Sequence, residues 1–282
     1  MSLQTAQHAL AGILCLPLLL PSASRAQLPL NIEELLVAPS TLTLQTLFSY
    51  SSTDRPLSAA SMGAAPVPAA NLQTRSATAL TRLRYGVGRT VEVNAELQRT
   101  RVDWQQPAAS GGGDEYTLGV GASWLLSPDA DTPALLLSGG VDALATSWLA
   151  PGERYSGKSL RAGAHLYRAL DPVVLSLALS YEWRRPRAIG ALRYDPGDIL
   201  RLQPQVNFAV NRRVTLIGGL SWQYIGRERL DAAPVAGSLY QTGLTFGLGL
   251  QAGPDSIIFV DTRVATSGGR GASLGVDWHY QF

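Results

Sequence analysis

The chain has 282 residues, of which 46% are hydrophobic and 16% charged, with a formal net charge of +2. Soluble domains carry about a quarter charged residues, so this chain is charge-poor. The near-neutral balance argues against a nucleic-acid partner, the single cysteine excludes a disulfide framework, and beyond the N-terminal segment no run reaches the roughly 18 apolar residues of a spanning helix.

Ala9 to Leu20 is an apolar run, followed by the small-x-small site Ser24-Arg25-Ala26. Residues 1–26 therefore read as an export signal cleaved after Ala26. His8 is the only candidate charge ahead of the run, so the n-region is poor. Cys15 lies in a weak lipoprotein box, Gly12-Ile13-Leu14-Cys15, and acylation is not expected. Removing the signal removes Arg25 and lowers the net charge from +2 to about +1. Residues 27–40 do not alternate. Asn31 can cap a short helix with Glu33 and Glu34 in its first turn and Pro39 beyond its end. The segment is either a periplasmic N-terminal arm or a short plug helix, and the arm is preferred.

From Thr41 the chain alternates, which places successive side chains on opposite faces of a strand. Leu42, Leu44, Phe48 and Tyr50 share one face of the first run; Ala77, Ala79, Leu83 and Tyr85 mark the second; Val91, Val93, Ala95 and Leu97 the third. Tyr116, Leu118, Val120, Ala122 and Trp124 mark the fourth, and Leu135, Leu137, Gly139, Val141 and Ala143 the fifth. The sixth is Leu160, Ala162, Ala164 and Leu166; the seventh runs from Val173 through Leu175, Leu177, Leu179 and Tyr181 to Trp183. Leu200, Leu202, Val206, Phe208 and Val210 form the eighth, and Val214, Leu216, Leu220, Trp222 and Tyr224 the ninth. Leu244, Phe246, Leu248 and Leu250 give the tenth, and Ile258, Val260 and Val264 the eleventh. The last run, Leu274, Val276, Trp278, Tyr280 and Phe282, makes about twelve strands, an even number.

Short links are expected near 86–89, 126–133, 169–172, 211–213 and 252–256. Longer ones are expected near 53–75, 105–114, 150–158, 185–197, 226–237 and 267–271, the two kinds alternating. That is the asymmetry of short periplasmic turns and long extracellular loops. Aromatic residues collect at strand ends as two girdles. Tyr50, Tyr181, Trp183, Trp222, Tyr224 and Tyr240 form the outer one, and Tyr85, Trp124, Tyr280 and Phe282 the inner one. Trp104 and Trp148 break the parity of their strands.

The C-terminal run, wholly apolar on one face and ending on Tyr280-Gln281-Phe282, resembles the terminal strand of bacterial outer-membrane β-barrels. In that class Trp278, Tyr280 and Phe282 would be the signal read by the barrel assembly machinery. The hairpin from Arg82 to Val93 and the entry from Asn31 to Tyr50 resemble outer-membrane barrels linked to meta-cleavage phenol degradation, to which the functional-amyloid secretion channels are related. The resemblance implies a Gram-negative, porin-like transport barrel with no catalytic residues. The expected fold is an all-β transmembrane up-and-down barrel over 41–282, with both termini periplasmic. Its partners would be outer-membrane lipid, lipopolysaccharide, and a small-molecule or peptide cargo. No cofactor and no metal are expected.

Parity points Arg82, Arg84, Glu92, Glu96, Asp142, Arg161, His165, Glu182, Arg201, Asp261, Arg263, Asp277 and His279 into the lumen. Both signs occur, so strong ion selectivity is not implied. A hairpin centred near Gly88 would set Arg84 opposite Glu92, with Arg82 diagonal to Glu92 and Glu96. These charges are either a structural ladder filling the lumen or a constriction that orients solutes. Gly152 to Ser159 matches the phosphate-loop pattern G-x-x-x-x-G-K-S, but a strand rather than a helix follows it. Lys158, the one lysine, is then a candidate contact for lipopolysaccharide phosphate. A hydrolase would need a base beside a nucleophile. Beyond the signal the chain offers His165 and His279, far from the outer rim, and no G-x-S-x-G. The leading expectation is a channel for small solutes, hydrophobic or aromatic ones among them, or for a small exported polypeptide. A closed structural or adhesion barrel acting through its loops is the alternative, and a hydrolase the least favoured reading.

Overall fold

The computed structural model describes residues 36–54, 73–105, 110–147 and 150–282. The export signal, the first part of the arm, most of the 53–75 link and Trp148 lie outside them. The described residues form seventeen strands and no helix. They are β1 (Leu42–Asp54), β2 (Gln73–Gly86), β3 (Val91–Gln105), β4 (Ser110–Ser127), β5 (Ala134–Ser147), β6 (Ala150–Ser156), β7 (Ser159–Leu170), β8 (Val173–Arg184) and β9 (Arg187–Ile189). They continue with β10 (Leu192–Asp195), β11 (Ile199–Asn211), β12 (Val214–Ile225), β13 (Glu228–Leu230), β14 (Ala233–Ala236), β15 (Leu239–Gly253), β16 (Ser256–Ser267) and β17 (Arg270–Gln281).

Twelve of these close into an antiparallel ring: β1–β5, β7, β8, β11, β12 and β15–β17. The seam is β1 against β17, in register from Thr43↔Gln281 to Asp54↔Arg270. Closure leaves no unpaired strand edge, the condition for backbone in a bilayer. Burial is inverted relative to a soluble domain. Phe48, Leu97, Trp124 and Leu220 are each more than half exposed on the outer wall. Glu92 and Glu96 are 3% and 5% exposed inside. A continuous apolar outer surface of this extent matches lipid rather than water.

The aromatic girdles face outward at the two ends. Tyr240 packs on Trp222 and Tyr224, with ring centroids 6.1 and 5.0 Å apart. At the opposite end the Tyr280 ring meets Phe282 edge-on at 5.0 Å. Trp278 donates its indole N–H to Ser256 Oγ at 2.9 Å.

Four expectations need correction. The link at 267–271 is a tight turn, with Gly268 and Gly269 at φ 74° and 127° between β16 and β17. Only glycine takes both angles without strain, so the strands run on to the turn and the short–long alternation breaks here. The 105–114 link shrinks because Ser110–Gln105 pairing extends β3 and β4 beyond the girdle. The links at 185–197 and 226–237 are not plain loops. They pair with each other as a four-stranded sheet, β14-β13-β10-β9, joined at Tyr194↔Leu230 and Asp195↔Arg229. Finally, a bulge between Leu118 and Gly119 on β4 skips Ala143 on β5, so Leu144 rather than Ala143 faces outward.

Candidate functional site

The lumen is built by the inward parity of each strand. Even residues of β2, β3 and β8 and odd residues of β1, β4, β7, β11, β12 and β15–β17 share rungs. Examples are Leu47↔Leu80, Glu96↔Gly119 and Arg161↔Glu182. All thirteen charged or titratable residues picked out by parity lie on this inner face. The hairpin register differs from the expected one. Its pairing centres on Arg89, so Arg82 lies opposite Glu96, and Arg84 lies opposite Asn94. Arg84 still reaches diagonally to Glu92 at 2.7 Å.

The charges fall into a network along one side. Arg82 bonds Glu96 through Nε and Nη2, at 3.0 and 2.7 Å. Arg161, on β7, crosses a corner of the lumen to the same carboxylate and also meets Asp142 at 3.1 Å. Ser159 Oγ donates to Asp142 at 2.5 Å. Gly119 makes the crossing possible: a Cβ there would lie 2.9 Å from both Arg161 and Glu96. Arg82 Nη1 donates to Gln45 Oε1 at 3.2 Å, and Gln45 Nε2 donates to Asp277 at 2.7 Å. His279 Nε2 lies 3.0 Å from the same carboxylate. Arg201 pairs with Glu182 at 3.2 Å. Asp261 and Arg263, on β16 next to the strand of Asp277, stand outside these pairs and line a cavity together with His165. Paired charges with further hydrogen bonds offset much of their desolvation cost, so the network can persist in a narrow lumen.

The entry segment adds a group that alternation did not reveal. Leu36 and Val37 are both 7% exposed at the short-turn end. Val37 N–H donates to Glu92 Oε2 at 3.0 Å, and Ser40 N–H to the Gly86 carbonyl at 2.8 Å. Lys158 is corrected too. Its ammonium is paired with Glu115 and its side chain is 10% exposed, so it does not present a phosphate contact at the surface. The Gly152–Ser159 stretch spans β6, the turn at Gly157 and the start of β7, so no helix N-terminus forms there. Outside the membrane-spanning strands, Tyr194 is buried in the loop sheet and bonded to Glu228 at 3.1 Å. Burial, and then the Glu228 carboxylate, push its phenol well above the usual range.

Sequence reasoning followed charges and missed the uncharged lining. Gln203, Gln205 and Asn207 on β11, Ser221 and Gln223 on β12, and Gln241 and Thr245 on β15 all share the lumen parity. The same odd–even rule, applied to amides and hydroxyls, would have found them.

No protein-family model matches the chain, and no curated protein matches it in sequence. Solved structures do. An outer membrane channel from Pseudomonas putida F1 superposes with a TM-score of 0.68 at 12% identity, covering 87% of this chain and 97% of that one. The translocator domain of the autotransporter NalP from Neisseria meningitidis gives 0.55 at 13% identity, covering 87% and 90%. The β domain of the Bordetella autotransporter BrkA gives 0.52 at 14% identity, covering 86% and 100%. These likenesses establish the fold, that of the bacterial outer-membrane β-barrels.

Proposed function

We propose that the chain is an outer-membrane channel for small solutes, with both termini periplasmic and the five short turns on the periplasmic side. The single observation that carries this is the inside-out distribution of polarity: an apolar outer wall around a lumen that holds both charged pairs and open space. One lumen cavity has a volume of about 360 Å³ and is lined by His165, Gln205, Asn207, Asp261 and Asp277 among others. That is within the range of about 300–1,000 Å³ of small-molecule sites. A polypeptide would require the Arg161–Glu96 crossing to part, so the small-solute reading is preferred to export of a chain. The fold neighbours named as a channel and as translocator domains support a non-enzymatic role.

Lipid is the partner of the outer wall. Arg99 and Arg101 extend it at the long-loop end, where Arg101 shares a rung with Ala77 and Tyr50. They support contact with lipopolysaccharide phosphates at the level of the outer girdle. One observation favours a second reading, the closed barrel: the corner-crossing ion pairs and the Val37–Glu92 bond both narrow the bore. Planar-bilayer recording on the purified full-length protein separates the two. Discrete openings are expected, and a silent membrane at every voltage would leave the closed barrel.

A further inference from the structure

The two sides of the lumen differ in chemistry. On the side from β2 to β8, Arg82, Arg84 and Arg161 are matched by Glu92, Glu96 and Asp142, and Glu182 takes Arg201 of the adjoining β11, at 2.7–3.2 Å or closer. Their hydrogen-bonding capacity is largely used within the protein. The opposite side, β11 to β16, is lined mainly by amides and hydroxyls, with Arg201, Asp261 and Arg263 among them. There Gln203, Gln223 and Gln241 form no side-chain hydrogen bond among the described residues. Gln223 and Gln241 share a rung, and Arg201 shares it on the other flank. All three glutamines line a cavity of about 140 Å³ near the long-loop end, together with Ser51, Ser221 and Ser273. The 360 Å³ cavity begins where that one ends, and the two share Gln203 and Arg263. Gly219, Gly243 and Gly247 keep this side shallow.

We infer that the solute path follows this amide-rich side, and that its cargo is a neutral, polyhydroxylated solute of sugar-like chemistry. The inference rests on the channel reading above and deepens it. A glutamine amide carries two donors and an acceptor oxygen, so it can meet a hydroxyl in either direction. A solute leaving water for a narrow bore must replace its hydrogen bonds or bear the desolvation cost. A row of free amides supplies replacements all along the path. Charged solutes gain little: the charges on the facing side are neutralised by one another, and Asp261 and Arg263 on the path itself carry opposite signs. An aromatic hydrocarbon gains little as well, because it would strand these amides without partners.

The test is swelling of liposomes that contain the purified full-length protein, with sorbitol as the neutral probe and sodium benzoate as the aromatic one. Sorbitol is expected to enter faster. Replacing Gln203→Leu and Gln241→Leu together should slow sorbitol entry by about fivefold or more, the effect of losing at least one hydrogen bond. Potassium chloride conductance should fall by much less. The single variants Gln223→Ala and Gln241→Ala should shift sorbitol entry in the same direction, in case the double variant assembles poorly. Faster benzoate entry, or equal slowing of both probes by the glutamine variants, overturns the inference and leaves the channel standing. No swelling and no conductance from the unmodified protein would overturn the channel reading itself.

Discussion

Glu96 holds the lumen network together, accepting from Arg82 on the neighbouring strand and from Arg161 three strands away round the ring. It is nearly buried, while its two partners are about one-third exposed to the bore. Glu96→Gln leaves both guanidiniums with weaker partners. The expected cost is about 1.5–3 kcal/mol, the range for a hydrogen bond to a charged group. The check is the temperature at which the folded band is lost in a heat-modifiability gel, together with a rise in single-channel conductance as Arg161 draws back onto Asp142. A variant as stable as the parent, with the same conductance, would show the crossing to be incidental. That Arg82 and Glu96 face the lumen was legible from parity alone. Their direct opposition was not, because a two-residue change in the sum of paired numbers is invisible to alternation.

At the scale of elements, the short-turn end is shaped by Gly86. A Cβ there would lie 2.2 Å from the Ala38 carbonyl oxygen and 2.6 Å from that of Val37. Gly86→Ala must therefore displace residues 36–39 and release the Val37–Glu92 bond. Faster proteolysis within 36–40 is expected, with the barrel itself intact, and unchanged cleavage would count against a seated entry segment. At the other end, the loop sheet depends on Asp231. Its carboxylate accepts from Arg193 N–H at 2.8 Å, while its own N–H donates to the Arg193 carbonyl at 2.8 Å. Asp231→Ala should cost about 1 kcal/mol locally. It should speed protease cutting in 228–236 without altering the barrel's melting. This sheet escaped the sequence reading because its strands are three or four residues long and its two halves join only at Tyr194↔Leu230 and Asp195↔Arg229, far apart in the chain.

The whole molecule is defined by a ring with its apolar face outward. Val120 lies mid-row on the outer wall between Leu118 and Ala122, and is 45% exposed. On a water-facing surface Val120→Arg would change stability by about 0.5 kcal/mol or less. In a bilayer it should cost about 2–4 kcal/mol. Urea unfolding from lipid vesicles measures the difference, and a near-zero effect would contradict the membrane orientation of this wall. Deleting Phe282 removes the edge contact to Tyr280 and the N–H bond to the Leu42 carbonyl at 3.0 Å, both at the closing seam. The fraction of heat-modifiable, membrane-inserted protein should fall in cells. Insertion equal to the parent would remove the terminal residue from any role in assembly.

Alternation along the chain determined, without further information, that there are about twelve strands and, except past the bulge on β5, which side chains face the bore and which face outward. A two-residue period survives any choice of partner strand. The tertiary structure alone decided register, the crossing from Arg161 to Glu96, the pairing of two long links into a sheet, and the gathering of most paired charges on one lumen side and of free amides on the other. These depend on how far each strand slides against the next as the ring closes, and that slide is set by turns, bulges and contacts distant in sequence.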